Sequence, residues 1–143
     1  MTTINPYLSF NGTCEAAFNF YKSVFGGEFE DFGRYKNIPS EQPIPDSEKE
    51  KIMHISLPIN EEVTLMGSDS SEFFGQDTKI GNNISLCISP GIEKNAYRIF
   101  EALSEEGTII TPIEKAFWGA LFGILTDKFG VCWMVNHCYP REK

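Results

Sequence analysis

The 143-residue sequence lacks any apolar run of membrane-spanning length, because Glu, Lys, Asn or Gly interrupts every candidate stretch. It is also short of positive charge. Twelve Lys and Arg stand against twenty Asp and Glu, a net charge of −8. A surface that acidic repels phosphate backbones and anionic lipid, so neither nucleic acid nor a membrane is an expected partner, and its ordinary role is solubility. Cysteine is sparse: Cys14, Cys87, Cys132 and Cys138 make no CxxC pair and lack the density of a disulfide scaffold. Reduced thiols in a cytoplasmic protein are the expectation. The opening Met1-Thr2-Thr3-Ile4-Asn5-Pro6 has neither the basic start nor the apolar core of a secretory signal. A glycine-rich strand-to-helix loop for phosphate or dinucleotide is missing, as is a Ser/His/Asp order with family-specific flanks.

What is present suits a packed α+β domain. The apolar fraction is 41%, and twelve Phe, five Tyr and two Trp supply large buried areas. The length allows one domain, or two half-domains sharing a core. Residues 4–10 read as a strand closed by Asn11-Gly12, with Thr13 as N-cap of a helix whose stripe is Cys14, Ala17, Phe18, Tyr21 and Phe25. Gly26-Gly27 ends that helix. Residues 28–35 suggest an irregular strand. The Pro-rich stretch 36–50 is a loop with one helical turn near Ser47-Glu48-Lys49, and a loop so long is commonly mobile or functional. A hairpin follows, with Met53, Ile55 and Leu57 expected toward the core and His54 toward the other face; Asn60-Glu61-Glu62 makes the turn. A polar loop, 67–81, carries Phe73-Phe74, which can cap a cleft or pack across a dimer interface.

The plan then repeats. Ile84, Leu86 and Ile88 alternate with Asn83, Ser85 and Cys87 in a strand. A helix follows with Ala96, Ile99, Phe100 and Leu103 on one face. Residues 108–114 are strand-like, and 119–126 and 131–137 form a last hairpin around Asp127-Lys128-Phe129-Gly130, where Asp127 is a turn residue. Strand, helix, strand, strand, strand thus occurs twice, as a first half at 1–70 and a second at 80–143, with Gly26 and Gly107 setting the offset. Each half alone leaves a sheet face unburied, so the duplication is architectural.

Specific strings then carry a resemblance. Asn5-Pro6-Tyr7-Leu8-Ser9-Phe10-Asn11-Gly12, Ala17 through Gly27, Met53-His54-Ile55, Leu65-Met66-Gly67-Ser68-Asp69, Phe117-Trp118-Gly119 and Asp127 through Trp133 resemble, in order and across nearly the whole chain, PhnB-like proteins of the glyoxalase/bleomycin-resistance/dioxygenase superfamily. The resemblance implies the vicinal-oxygen-chelate fold: tandem βαβββ units curled into an incomplete barrel around a cleft, in a homodimer. It implies no single chemistry, since relatives include metal-dependent lyases and isomerases, dioxygenases, transferases and bleomycin binders that sequester a drug. Ubiquinone methyltransferase is another label on such sequences, but no methyl-donor site is legible here.

Metal-dependent members set imidazole and carboxylate ligands on several strands facing the cleft. The corresponding positions here fall at Asn5 or Pro6, at His54, at Asn83 and at Met134. His54 is the single plausible ligand, so no metal is expected, although a divalent metal remains possible. His54 suits a ligand, a general base or a hydrogen-bonding group; its bland role is a hydrogen-bonded histidine on a polar face. His137, Trp133 and Cys14 read as structural, and Cys87 as a buried, inert thiol or, alternatively, a reactive one in the cleft. Two functions remain. One is binding of a small apolar or aromatic molecule by His54, Ser56, Asn83, Cys87, Trp118 and Met134. The other is a metal-dependent lyase, isomerase or dioxygenase with an atypical ligand set including His54.

Overall fold

In the computed structural model residues 2–140 are described, and Met1 and residues 141–143, the outermost parts of the expected halves, lie outside them. The chain divides into two compact units between Lys79 and Ile80. In the first unit β1 (Tyr7–Phe10), α1 (Cys14–Phe25), β2 (Asp31–Arg34), α2 (Asp46–Lys49), β3 (Ile52–Pro58) and β4 (Thr64–Asp69) follow in order. The sheet order is β1-β4-β3-β2; β1 runs parallel to β4 and the other neighbours are antiparallel. Helix α1 packs on β3 and β4. Its buried residues Cys14, Ala17, Phe18, Tyr21 and Val24 meet Ile55, Leu57 and Leu65, all at most 3% exposed. Val24, rather than the expected Phe25, completes the stripe.

In the second unit β5 (Ser85–Ile88), α3 (Glu93–Ser104), β6 (Thr108–Lys115), β7 (Ala120–Thr126) and β8 (Cys132–Cys138) repeat the plan, in sheet order β5-β8-β7-β6 with β5 parallel to β8. Neither four-stranded sheet closes on itself. The buried positions of α3, Ala96, Ile99, Phe100 and Leu103, have the same spacing as Cys14, Ala17, Phe18 and Tyr21. Laying β3 on β7 and β4 on β8, start on start, carries His54 onto Phe122, Met66 onto Met134 and Asp69 onto His137. No single offset serves both helices and hairpins, because the first unit has the longer connection between them. The offset expected from Gly26 and Gly107 is corrected accordingly.

Two further local expectations are revised, and Gly107 is explained by space rather than by backbone conformation. The first strand begins at Tyr7, not at residue 4, and Ile4 is 91% exposed. Met53 is not a core residue: Gly33 pairs with His54 but Arg34 with Ile52, so a bulge leaves Met53 as the extra residue, exposed, while Ile52 takes the core position. Gly107 has no left-handed role. Glu106 takes the positive φ of 59°, and Gly107 is required because a Cβ there would collide with the Thr126 carbonyl oxygen.

The long loop after β2 is tied down. The buried Tyr35 hydroxyl lies 2.7 Å from the Asp69 carbonyl oxygen and 2.9 Å from Gln76 Oε1, and burial raises its pKa. The turn expected near Ser47 is α2. Its buried Glu48 accepts from Ser71 Oγ at 3.2 Å and pairs with Lys51. Arg34 holds Glu15 through two guanidinium contacts of 3.1 and 2.7 Å. Lys51 lowers the Glu48 pKa and Arg34 that of Glu15, each from an ordinary 4.5. A carboxylate with a depressed folded pKa contributes stability that is present above its unfolded pKa and is lost as pH falls through its folded one. Thermal melts are therefore expected to fall as pH drops below about 4.5, less steeply in Glu48→Gln. A melting temperature that holds across that range would contradict both pairs.

Candidate functional site

The strand alternation places each candidate side chain. In the first unit Ile55 and Leu57 face α1, so His54 and Ser56 project from the opposite face of β3. The register adds Met66, across from both Ser56 and Tyr7, and Asp31, across from Ser56. His54 Nδ1 lies 3.3 Å from the Tyr7 hydroxyl and its Nε2 3.0 Å from Ser56 Oγ. The Tyr7 and His54 rings are 5.7 Å apart at 32°. Tyr7 is 48% exposed, His54 half-buried and Ser56 buried. The structure therefore brings His54 and Ser56 together and adds Tyr7, which sequence reasoning missed. Only the pairing of β1 with β4, two strands distant in sequence, sets Tyr7 beside His54.

In the second unit Trp133, Val135 and His137 are buried on one face of β8, and Met134 projects from the other, directly across from Cys87. Phe122 and Ile124 share that face through their pairs Asn136 and Met134. Trp118, 53% exposed in the turn before β7, packs against Phe122 in a T-shaped pair with ring centroids 5.3 Å apart. Cys87, Met134 and Trp118 thus lie on or beside one face. Cys87 is exposed, not buried: β5 is an edge strand, and this side of it does not face α3. Asn83 is off the strand, exposed in a bend, because β5 begins only at Ser85 and Ile84 is itself 75% exposed.

The remaining candidates are structural. His137 Nδ1 donates to the Pro90 carbonyl oxygen at 2.8 Å, and the Trp133 indole N–H donates to Asp127 Oδ2 at 2.8 Å. Asp127 also accepts from the Phe129 and Val131 amides, the turn role expected of it. Burial pushes the Cys14 thiol pKa up strongly, with Asp69 and Glu15 adding to the shift. Phe74 stacks on Tyr35 within its own unit, the centroids 5.2 Å apart.

Among the described residues no three of His, Cys, Asp and Glu converge as metal ligands. Around His54 both ring nitrogens are engaged by hydroxyls, and its counterpart in the second unit is Phe122. That donor set does not fit the imidazole and carboxylate shell of a divalent metal within either unit.

Comparison with known proteins agrees with this frame. The family model described as 3-demethylubiquinone-9 3-methyltransferase matches residues 2–136. Protein YjdN of Escherichia coli K12 is 30% identical over 146 residues, 93% of each chain. The crystal structure of PA1353 from Pseudomonas aeruginosa superposes with a TM-score of 0.85 at 36% identity, covering 96% of this chain and 98% of that one. A Bacillus cereus PhnB protein, described as a putative 3-demethylubiquinone-9 3-methyltransferase, gives 0.76 at 27% identity over 96% and 100%. A Frankia glyoxylase/bleomycin resistance protein/dioxygenase domain, at 0.63 and 8% identity over 97% of each chain, shares the fold alone. The chain therefore belongs to the PhnB-like 3-demethylubiquinone-9 3-methyltransferase family and carries the glyoxalase/bleomycin-resistance fold.

Proposed function

We propose that this protein binds a small apolar or aromatic molecule. The candidate contacts, each taken within its own unit, are His54 and Ser56 in the first and Cys87, Trp118 and Met134 in the second, with Asn83 at the approach to β5. The two units are read as halves of one domain, 1–70 and 80–143, in a cytoplasmic homodimer; four free thiols support the compartment, and solvent-facing Phe32, Ile109 and Ile110 support the dimer. The observation that carries the binding reading is the chemistry of the sheet faces turned away from the helices. They combine aromatic, thioether and hydroxyl groups, a lining suited to an uncharged ring with few polar atoms.

The methyl transfer named in the family's description finds no support at the β1–α1 junction. The Gly12 and Cys14 amides there already donate to Asp69, so that junction does not hold a cofactor phosphate or carboxylate. A metal-dependent lyase, isomerase or dioxygenase would have to displace Tyr7 or Ser56 from His54.

Two measurements test the reading. Calorimetric titration with acetophenone or indole is expected to saturate, and to do so at about tenfold higher concentration in His54→Ala, which removes the group that positions the Tyr7 hydroxyl. Metal analysis of protein purified without chelator or affinity tag is expected to find no stoichiometric ion. Stoichiometric metal that disappears in His54→Ala would overturn the binding reading in favour of the metal-dependent one. A monomeric mass by light scattering at micromolar concentration would remove the dimer.

A further inference from the structure

We propose that Tyr7, His54 and Ser56 form a reversible hydrogen-bond relay, through which the first unit accepts either a donor or an acceptor group on a neutral aromatic ligand. The proposal rests on the binding reading above and names the polar contact within it.

The geometry is a chain of three hydrogen-bonding groups. Ser56 Oγ is 3.0 Å from His54 Nε2, and His54 Nδ1 is 3.3 Å from the Tyr7 hydroxyl. Ser56 is 4% exposed at the inner end and Tyr7 48% exposed at the outer. A neutral imidazole carries one proton, so one nitrogen donates and the other accepts. With the proton on Nδ1, His54 donates to the Tyr7 oxygen, Ser56 donates to Nε2, and the Tyr7 O–H is free to donate to a ligand carbonyl. With the proton on Nε2, His54 donates to Ser56, Tyr7 donates to Nδ1, and the Tyr7 oxygen is left to accept from a ligand N–H or O–H. Either direction pairs both imidazole nitrogens; with the proton on Nε2 the buried Ser56 O–H loses Nε2 as its acceptor, and the hydrogen bond from a ligand donor to Tyr7 has to offset that cost. The Tyr7 ring lies tilted against the imidazole, the centroids 5.7 Å apart.

Among the described residues the second unit does not repeat this relay. There Phe122 stands for His54, and Cys87, across from Met134, stands for Tyr7 across from Met66. Polar discrimination is thereby assigned to the first unit.

The test uses two probes of similar size: acetophenone, which can only accept, and indole, which can only donate. Isotope-labelled full-length protein is titrated with each, and the His54 ring nitrogens are read by NMR, assigned by their loss in His54→Asn. Acetophenone is expected to select the Nδ1-protonated tautomer and indole the Nε2-protonated one. Tyr7→Phe is expected to weaken both about tenfold, the fold-change of one lost hydrogen bond. Should Tyr7→Phe fail to fold, the tautomer readout in the wild-type protein decides alone. The same tautomer with both probes, or full affinity of a folded Tyr7→Phe, overturns the relay while leaving the binding reading intact. If neither probe binds the wild-type protein at millimolar concentration, both fall.

Discussion

Asp69→Ala is expected to lower the unfolding free energy by about 4 kcal/mol. The side chain, 2% exposed, is the acceptor for three backbone amides from two separate parts of the first unit. Gly12 and Cys14 donate to Oδ1 at 3.0 and 2.9 Å, and Ile52 donates to Oδ2 at 2.9 Å. One carboxylate thus caps the start of α1 and pins the start of β3, with its charge set against the positive end of the helix. A hydrogen bond to a charged group contributes roughly 1.5–3 kcal/mol. Removing the carboxylate leaves the Cys14 and Ile52 amides buried without that acceptor, while Gly12, exposed, turns to water. Urea denaturation is the measurement. Asp69→Asn should recover part of the loss, since its amide oxygen can still accept at one end. The contrast is Thr13→Ala, expected within about 0.5 kcal/mol of wild type, because Thr13 stands at the N-cap position but makes no side-chain cap bond. If the Thr13 change proved the costlier of the two, the assignment of the cap to Asp69 would be wrong.

That contrast shows where the sequence is legible and where it is not. Thr13 reads as a cap because capping residues are recognised by their position next to a helix. Asp69 is far from α1 in the chain and reaches it only because β1 pairs in parallel with β4, placing Phe10 opposite Asp69. The same distinction runs through the site. His54 and Ser56 are found from local alternation, since a hairpin of sequence neighbours fixes its own faces. Tyr7 and the pairing of Cys87 with Met134 depend on parallel strands brought together from a distance. Met53 leaves the core for a third reason: a bulge inserts one residue and shifts the alternation, and nothing in Ile52-Met53-His54 marks where that happens. Asn83 falls off β5 because an alternating pattern does not mark where a strand begins. The duplicated order of elements, by contrast, was legible throughout, because it depends on apolar period and turn residues alone.

Phe18→Ala is expected to cost about 4 kcal/mol, in the range of large-to-small changes in a packed core. Phe18 is fully buried on α1, edge-on to Phe10 at 6.3 Å and to Tyr21 at 5.7 Å. Its ring rests where β4 has no side chain: a Cβ at Gly67 would stand 2.6 Å from Phe18 Cε1 and 2.8 Å from the Leu8 carbonyl oxygen. Gly67→Ala alone is accordingly expected to cost about 2 kcal/mol by overpacking. In the double variant the new methyl group enters space that the ring has left, while the approach to the Leu8 carbonyl persists. The double variant is therefore expected to be more stable than the sum of the single changes by about 1 kcal/mol, measured in a double-mutant cycle. Strict additivity would mean that ring and glycine are not matched to each other. The second unit uses the same device with a different strand. Phe100, at the position corresponding to Phe18, has its Cε2 2.6 Å from where a Cβ at Gly123 would be, and Gly123 is on β7 rather than β8. Phe100→Ala and Gly123→Ala should couple with the same sign, since the demand comes from an aromatic ring seated flush on a sheet and not from the particular strand that yields to it.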